Sequence, residues 1–460
     1  MKFLGIEAEL KNKPVLDPDF FPLYRWEQAY LAGAKEKIAI AIRRSGGKIA
    51  VLDTVIHGTE EMFEADCYYV ERNVKFLLWA KGGYEVTVCG NEKIYEYIKA
   101  CYSENGARKF DFKTMGDVYE APFTVKHASY EEKPEEQDSA QPCGGNFEGC
   151  RIGFDAGGSD RKVSAVIDGE VVYSEEVVWF PKTNSDPDYH YQGILEAMKT
   201  AASHMPRVDG IGVSSAGVYV DNRIMVASLF LKVSKEDFEK KCKTMYIDVA
   251  KEFGNVPLEV ANDGDVTALA GAMDLNDNNV LGIAMGTSEA GGYVDGVGNI
   301  TGWLNELAFA PVDFNEDAMV DEWSGDWGCG VKYFSQDGVI KLAPAAGIDL
   351  DEGMSPAEKL EVVQGLMAEG DERARKIYET IGTYFGYTIA YYCEFYDIKQ
   401  VLIMGRVTSG EGGVVLLENA KEVLRTEFPE LYEKVTLNIP DEKARRVGQS
   451  VAAASLPQIR

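Results

Sequence analysis

The stretch "EVANDGDVTALAG", residues 259 to 271, sets an amide and two carboxylates, Asn262, Asp263 and Asp265, between an apolar run and a series of small helix-forming residues. Asn and Asp at such a junction cap a helix, because their side chains accept from first-turn N–H groups that lack a partner. A carboxylate held there can also do chemistry. Surrounded by N–H groups at a helix N-terminus, it is poised to take the proton of an attacking hydroxyl, so Asp263 is expected both to cap the helix and to serve as a base. Three glycine-rich turns flank the element in the chain. "GFDAGGSDRK" (153–162) puts Asp155, Gly157, Gly158 and Ser159 at a hairpin tip. "VLGIAMGTSEAGGYVDG" (280–296) runs a strand into Gly286, Thr287 and Ser288, and "KQVLIMGRVTSGEGG" (399–413) ends a strand at Gly405 and Arg406. Glycine lets backbone N–H groups come close to a phosphate, and Asp155 in such a turn would hold a metal-bound water. Each turn alone is an ordinary connection between strands. Three of them, with the Asn-Asp element between the first and second, are much harder to obtain by chance.

Those residues need a scaffold of strands and helices in alternation. "RIGFDAGGSDRKVSAVIDGEVVYSEEVVW" reads as three strands with a glycine turn, followed by the helix "HYQGILEAMKTAASHM" and the buried strand "VDGIGVSSAG". That order implies an α/β domain with a mixed, partly parallel sheet. A polar, Pro- and Gly-containing stretch at 127–150 reads as a linker. It divides an N-terminal α/β domain (1–126) from the larger part, 151–460. In the N-terminal domain, "KIAIAIRRSGGKIAVLDTVIH" reads as a hairpin turning at Ser45-Gly46-Gly47. It is followed by helical "ERNVKFLLWAKGG", strand "YEVTVCG" and helical "NEKIYEYIKACYS".

Composition narrows the function. The chain has 460 residues, 45% hydrophobic and 27% charged, with a formal net charge of −28. Such acidity disfavours nucleic acid and anionic membrane surfaces as partners, and no apolar run reaches the roughly 18–20 residues of a membrane span. The N-terminus lacks the apolar core of a secretory signal. Eight scattered cysteines read as reduced thiols, so a cytoplasmic protein is expected.

From about Gly153 to Ala454 the chain resembles the ROK family of sugar kinases and regulators, within the actin-like ATPase superfamily. "FDAGGSDRK" is similar to that family's first phosphate motif, "GIGVSSAGVYVDN" to its sugar-side loop, and "EVANDGDVTALAG" to its catalytic segment. "AMGTSEAGGYVDG" is similar to the second phosphate motif, "GWLNELAFAPVD" to the segment carrying a sugar-binding Glu, and "VLIMGRVTSGEGG" to the adenosine motif. The resemblance implies two actin-like (ribonuclease H-like) lobes, about 151–265 and 266–445, with the nucleotide between them and a C-terminal helix returning to the first. It also implies ATP- and Mg²⁺-dependent phosphorylation of a hexose or amino sugar. Asp263 matches the base; Asn262, Glu306, Ser215 and Gly217 match sugar-side positions. Asp155, Gly157, Gly158, Ser159, Gly286, Thr287 and Ser288 match the phosphate loops, with Asp155 on Mg²⁺ through water, and Gly405 and Arg406 match the adenosine loop. A homodimer is implied by the resemblance alone.

The pattern is broken at several places. Many family members hold a structural zinc through a His and a Cys-rich loop. Here Phe309 stands at the His position and "GDWGCGVKYF" keeps one thiol, Cys329, so no zinc is expected. A further sugar-binding Glu is replaced near Val331. Trp303, Trp323 and Trp327 read either as core or as a sugar-stacking wall. Glu289 is expected to bring negative charge near the phosphates, and Arg406 either to meet the nucleotide or to fill its site. These departures set a non-catalytic sugar- or nucleotide-binding regulator beside the kinase reading. An ATPase acting on a protein or acyl partner is a third alternative. DNA-binding repression is not expected, since no basic helix-turn-helix precedes the kinase-like part.

Overall fold

The computed structural model describes residues 1–138, 143–440 and 442–459, with side chains throughout except at 442–447. The chain divides into two compact units: Met1–Asp138 with Ile283–Gly291 and Trp303–Ile439, and Ser139–Gly282 with Gly292–Gly302 and Pro440–Arg460.

In the first unit the N-terminal hairpin forms as its alternation implies. Strands Glu36–Arg43 and Ile49–Ile56 pair antiparallel. The turn between them runs through Gly46 and Gly47 at φ of 68° and 74°, a region that side chains with a Cβ avoid. Strand Glu85–Cys89 adds antiparallel to the first strand, and Thr124–Ala128 adds parallel to Glu85–Cys89. Residues 127–138, read as linker, thus continue this unit: the strand runs to Ala128, Ser129 caps a turn over Tyr130–Glu132, and Asp138 is buried against Arg44. The part of that stretch at 139–142 lies outside the described residues. A second sheet has the strand order Glu289–Val294, Val280–Met285, Gln400–Met404 and Thr436–Asn438. The long helix Glu372–Tyr392 packs along Glu411–Glu427.

Helix Phe63–Ala80 is buried on nearly every face and carries charge inward. Arg72, Lys75 and Arg108 converge on Asp326, at 2.9, 3.1 and 2.7 Å. Glu71 pairs with Arg72 and Arg108, and Asp111 with Lys75. Burial pushes the Asp326 carboxyl up, but the Arg72 and Lys75 charges outweigh it and hold it below its ordinary value.

In the second unit a five-stranded sheet has the order Leu258–Asn262, Gly210–Ser215, Cys150–Ala156, Asp160–Ile167, Glu170–Val178. The first three strands are parallel and the rest antiparallel, as the order of strands and helices implied. Ile152, Phe154, Ile211 and Val213 are fully buried at its centre. Helices Asp263–Leu275 and Glu442–Ala454 pack against each other, the latter also lying on the three inner strands. Gly153 and Gly212 permit that contact: a Cβ would stand 1.8 Å from the Ser450 carbonyl and 1.7 Å from that of Ala453.

Candidate functional site

The three parallel strands of the second unit end level with one another. Register places Ser214 beside Asp155, and Ser215 beside both Ala156 and Asn262. Carboxyl ends of parallel strands are where α/β sheets present their ligand-binding groups.

Asn262 is the N-cap of helix Asp263–Leu275. Its Oδ1 accepts from the Gly264 N–H at 2.7 Å, and its Nδ2 donates to the Gly217 carbonyl at 2.7 Å. The cap is therefore Asn262 and not Asp263, because Asn262 keeps the extended backbone that lets its amide reach forward. Asp263 is the first helical residue and is half-buried. Burial pushes its carboxyl up, while the N–H groups of Gly264 and of Asp263 itself, and the Lys182 charge, pull it down; the net shift is upward. Asp265 is committed elsewhere: Oδ1 accepts from the Tyr293 N–H at 3.1 Å.

Asp155 is 6% exposed and accepts from Ser214 Oγ at 2.9 Å, with Lys162 Nζ 3.9 Å away. Burial raises it to about 6 against that hydrogen bond and the lysine, and the Asp263 charge adds to the rise. The two carboxylates thus feel each other and are short of positive charge. The turn beyond Asp155 is fixed by Trp179, whose indole N–H donates to the Gly157 carbonyl at 2.7 Å and whose backbone N–H donates to the Ser159 carbonyl at 3.1 Å. A Cβ at Gly157 would meet the Asp160 carbonyl at 2.6 Å, and one at Gly158 would lie 2.8 Å from Lys182 Nζ. Ser159 is exposed.

The remaining expected residues belong to the first unit. Thr287 and Ser288 are exposed on a turn closed by the Gly286 N–H donating to the Ser288 carbonyl at 2.9 Å. Gly405, at φ 103°, packs on the backbone of Met285, where a Cβ would meet the carbonyl oxygen at 2.3 Å. Arg406 does not fill a site; its side chain is 69% exposed and 4.0 Å from Glu361. Glu306 is half-buried, its N–H donating to the Trp79 carbonyl at 3.0 Å. Glu289 does not project toward the turn. It starts a strand, lies 3% exposed with neither carboxyl oxygen hydrogen-bonded to any described residue, and is pushed to about 8 by burial and the Glu306 charge.

A family model, that of the ROK family, matches residues 151–454. The chain belongs to the ROK family. Residues before 151 lie outside the match. No curated protein matches the chain. Among solved structures, the ROK hexokinase of Thermus thermophilus aligns with a TM-score of 0.51 at 18% identity, over 66% of this chain and 97% of the hexokinase. A ROK family transcriptional regulator, a homolog of the E. coli MLC protein, aligns with a TM-score of 0.50 at 18% identity, over 67% of this chain and 79% of the regulator. These likenesses establish the fold, the α/β architecture of ROK proteins.

In the segments where the sequence departs from the ROK pattern, the first unit has put other contacts. Phe309 packs on Trp79 and Phe110, with ring centroids 4.2 and 5.5 Å away. Cys329 is fully buried beside the Asp326 ion cluster. Among the described residues no group of three or more His, Cys, Asp or Glu side chains is placed to hold a metal ion. The three tryptophans do not form one wall. Trp303 lies under the Lys81 ammonium at 2.9 Å, Trp327 faces the Arg72 and Arg108 guanidiniums at 5.9 and 6.0 Å, and Trp323 is 74% exposed.

Two residues escaped the sequence reading. Lys182 sits on a short turn, Pro181–Thr183, that folds over Gly158 and brings its charge to Asp263. Ser214, rather than Ser215, faces Asp155, because successive strand residues point to opposite faces. Ser215 is fully buried and accepts from the Tyr246 hydroxyl at 3.2 Å. Strand phase is the one signal that could have separated the two serines.

Proposed function

We propose that this ROK protein is an ATP-dependent sugar kinase in which Asp263 takes the proton of the sugar hydroxyl that attacks the γ-phosphate. The observation that carries the reading is the division of labour at residues 262 and 263. Asn262 does the capping and pins Gly217, so the Asp263 carboxyl is left beside N–H groups at a helix start. Its raised affinity for protons is what a general base working near neutral pH requires. Asn262 and Gly217 fix the sugar-side loop, Lys182 adds positive charge over the Gly158 turn, and Glu306 is the first-unit residue assigned to sugar hydroxyls. The glycine turns at 157–159, 286–288 and 405–406 are assigned to the nucleotide. The Asp155 site fits Mg²⁺, since a buried carboxylate raised to about 6 beside a second carboxylate gains from a divalent cation. When bound, the ion supplies charge neutralisation to the phosphates.

A second reading, a sugar-responsive regulator without turnover, is favoured by Phe309 and Cys329, whose surroundings are taken up by Trp79 and the ion cluster. Both readings are tested by ADP release from Mg²⁺–ATP across a panel of hexoses and N-acetylhexosamines, with melting temperature followed in parallel. Sugar-dependent ADP release is the kinase result. Stabilisation by sugar with no ADP released from any of the panel contradicts it and leaves the regulator.

A further inference from the structure

Within the first unit lies a recess of about 470 Å³ whose lining shares no residue with those discussed under the proposed function. It is lined by helices Leu23–Leu31 and Phe63–Ala80, the N-terminal hairpin strands and the Glu394–Phe395 segment. Its volume is that of a small-molecule site. Among its lining residues is Glu27, 5% exposed, whose Oε1 accepts from Asn73 Nδ2 at 2.9 Å. The second oxygen, Oε2, receives no hydrogen bond from any described residue. Burial holds the Glu27 carboxyl well above its ordinary value; the Asn73 hydrogen bond works against this and the Glu394 charge adds to it.

The phenols around Glu27 are already spent. Tyr24 donates to Glu394 at 2.6 Å, Tyr130 donates to Asp53 at 2.8 Å, and the Tyr69 hydroxyl is bonded to that of Thr54 at 2.7 Å. Lys37 lies over the Tyr130 ring at 5.5 Å, and Lys133 pairs with Asp53. The recess therefore offers carboxylate acceptors and aromatic faces, with one lysine, Lys37, lining it against three carboxylates. A neutral sugar would bring no charge to balance these carboxylates. An ammonium carries three donors and no acceptor, and aromatic faces attract it as well.

We propose that this recess binds a small organic amine, its ammonium seated on Glu27 and its apolar body against Tyr24, Tyr69 and Phe395. Binding ionises Glu27, and the displaced proton passes to solvent. The test is calorimetry on the full chain with phenethylamine, phenethyl alcohol and glucose as probes. The amine is expected to bind at least about ten-fold tighter than either neutral probe, and Glu27→Gln to weaken it by at least about ten-fold. Glu394→Gln, at the exposed rim, is expected to weaken it several-fold without a change in melting temperature, which keeps the test open if Glu27→Gln folds poorly. Absence of heat with the amine, equal affinity for the alcohol, or an amine affinity unaltered by these variants overturns the proposal. None of these outcomes bears on phosphoryl transfer.

Discussion

Two buried carboxylates of this chain, Asp326 in the first unit and Asp155 in the second, are handled in opposite ways. In the first unit Asp326 is fully buried, yet Arg72, Lys75 and Arg108 surround it and its proton affinity falls. In the second unit Asp155 and Asp263 have a serine, N–H groups and two lysine charges between them, and both are raised. In the first arrangement the counter-charge closes on Asp326, while burial still raises Glu71 and Asp111 beside it. The second is short of positive charge by construction, which is the condition for taking up a proton or a cation. Burial alone does not mark a functional carboxylate: Glu289 is raised to about 8 in the core of the first unit, and what sets Asp155 and Asp263 apart is their place at the ends of parallel strands.

The largest expected effect comes from breaking the closed set. Arg72→Met leaves Asp326 and Glu71 buried with too little counter-charge, and the expected cost is about 3–5 kcal/mol, read as a drop in the urea midpoint. An unchanged midpoint would mean that the cluster is not what holds the first unit's core. In the open set the sign reverses. The folded-state value of Asp155, about 6, lies above the usual aspartate value, so its contribution to stability is present at low pH and lost as pH rises through 6. Asp155→Asn removes that loss and is expected to raise stability at pH 7.5 by roughly 1–3 kcal/mol, with no gain near pH 4. The same variant should lose sugar-dependent ADP release. A variant less stable than the parent at pH 7.5 would place Asp155 among the structural charges. The smallest effect is at Lys182, which is exposed. Lys182→Met is expected to leave the melting temperature unchanged and move the acid limb of kcat/KM upward by up to about one pH unit, since a positive charge near Asp263 is lost. A profile that stays in place would remove Lys182 from the site.

How much of this was legible depended on range along the chain. The strand–Asn–Asp–helix junction was readable because capping chemistry is local, and so was the hairpin at Gly46-Gly47. Cap and base were nonetheless assigned to one residue, since sequence does not say where extended backbone gives way to helix; the switch falls between 262 and 263. Glu289 was misread for a related reason. It follows exposed Thr287 and Ser288 within a polar turn, but as the first residue of a strand it points into the core. The ion cluster joins residues 72 and 326, and no periodicity carries a signal across that separation. Lys182 drew no reading from the sequence, and folding of its turn over Gly158 is what brings it to Asp263.

The central claim is that Asp263 acts as a base and not as a structural cap. Its most direct test is single-turnover transfer of the γ-phosphate from Mg²⁺–ATP to the best hexose of the panel, comparing the parent with Asp263→Asn. Because Asn262 already caps the helix, and the burial that raises the Asp263 carboxyl no longer acts against a charge, the variant should match or exceed the parent's melting temperature and keep its sugar affinity while the transfer rate falls by about 10²–10⁴-fold. A variant that transfers phosphate at the parent's rate, or that loses folding and activity together, would contradict the assignment.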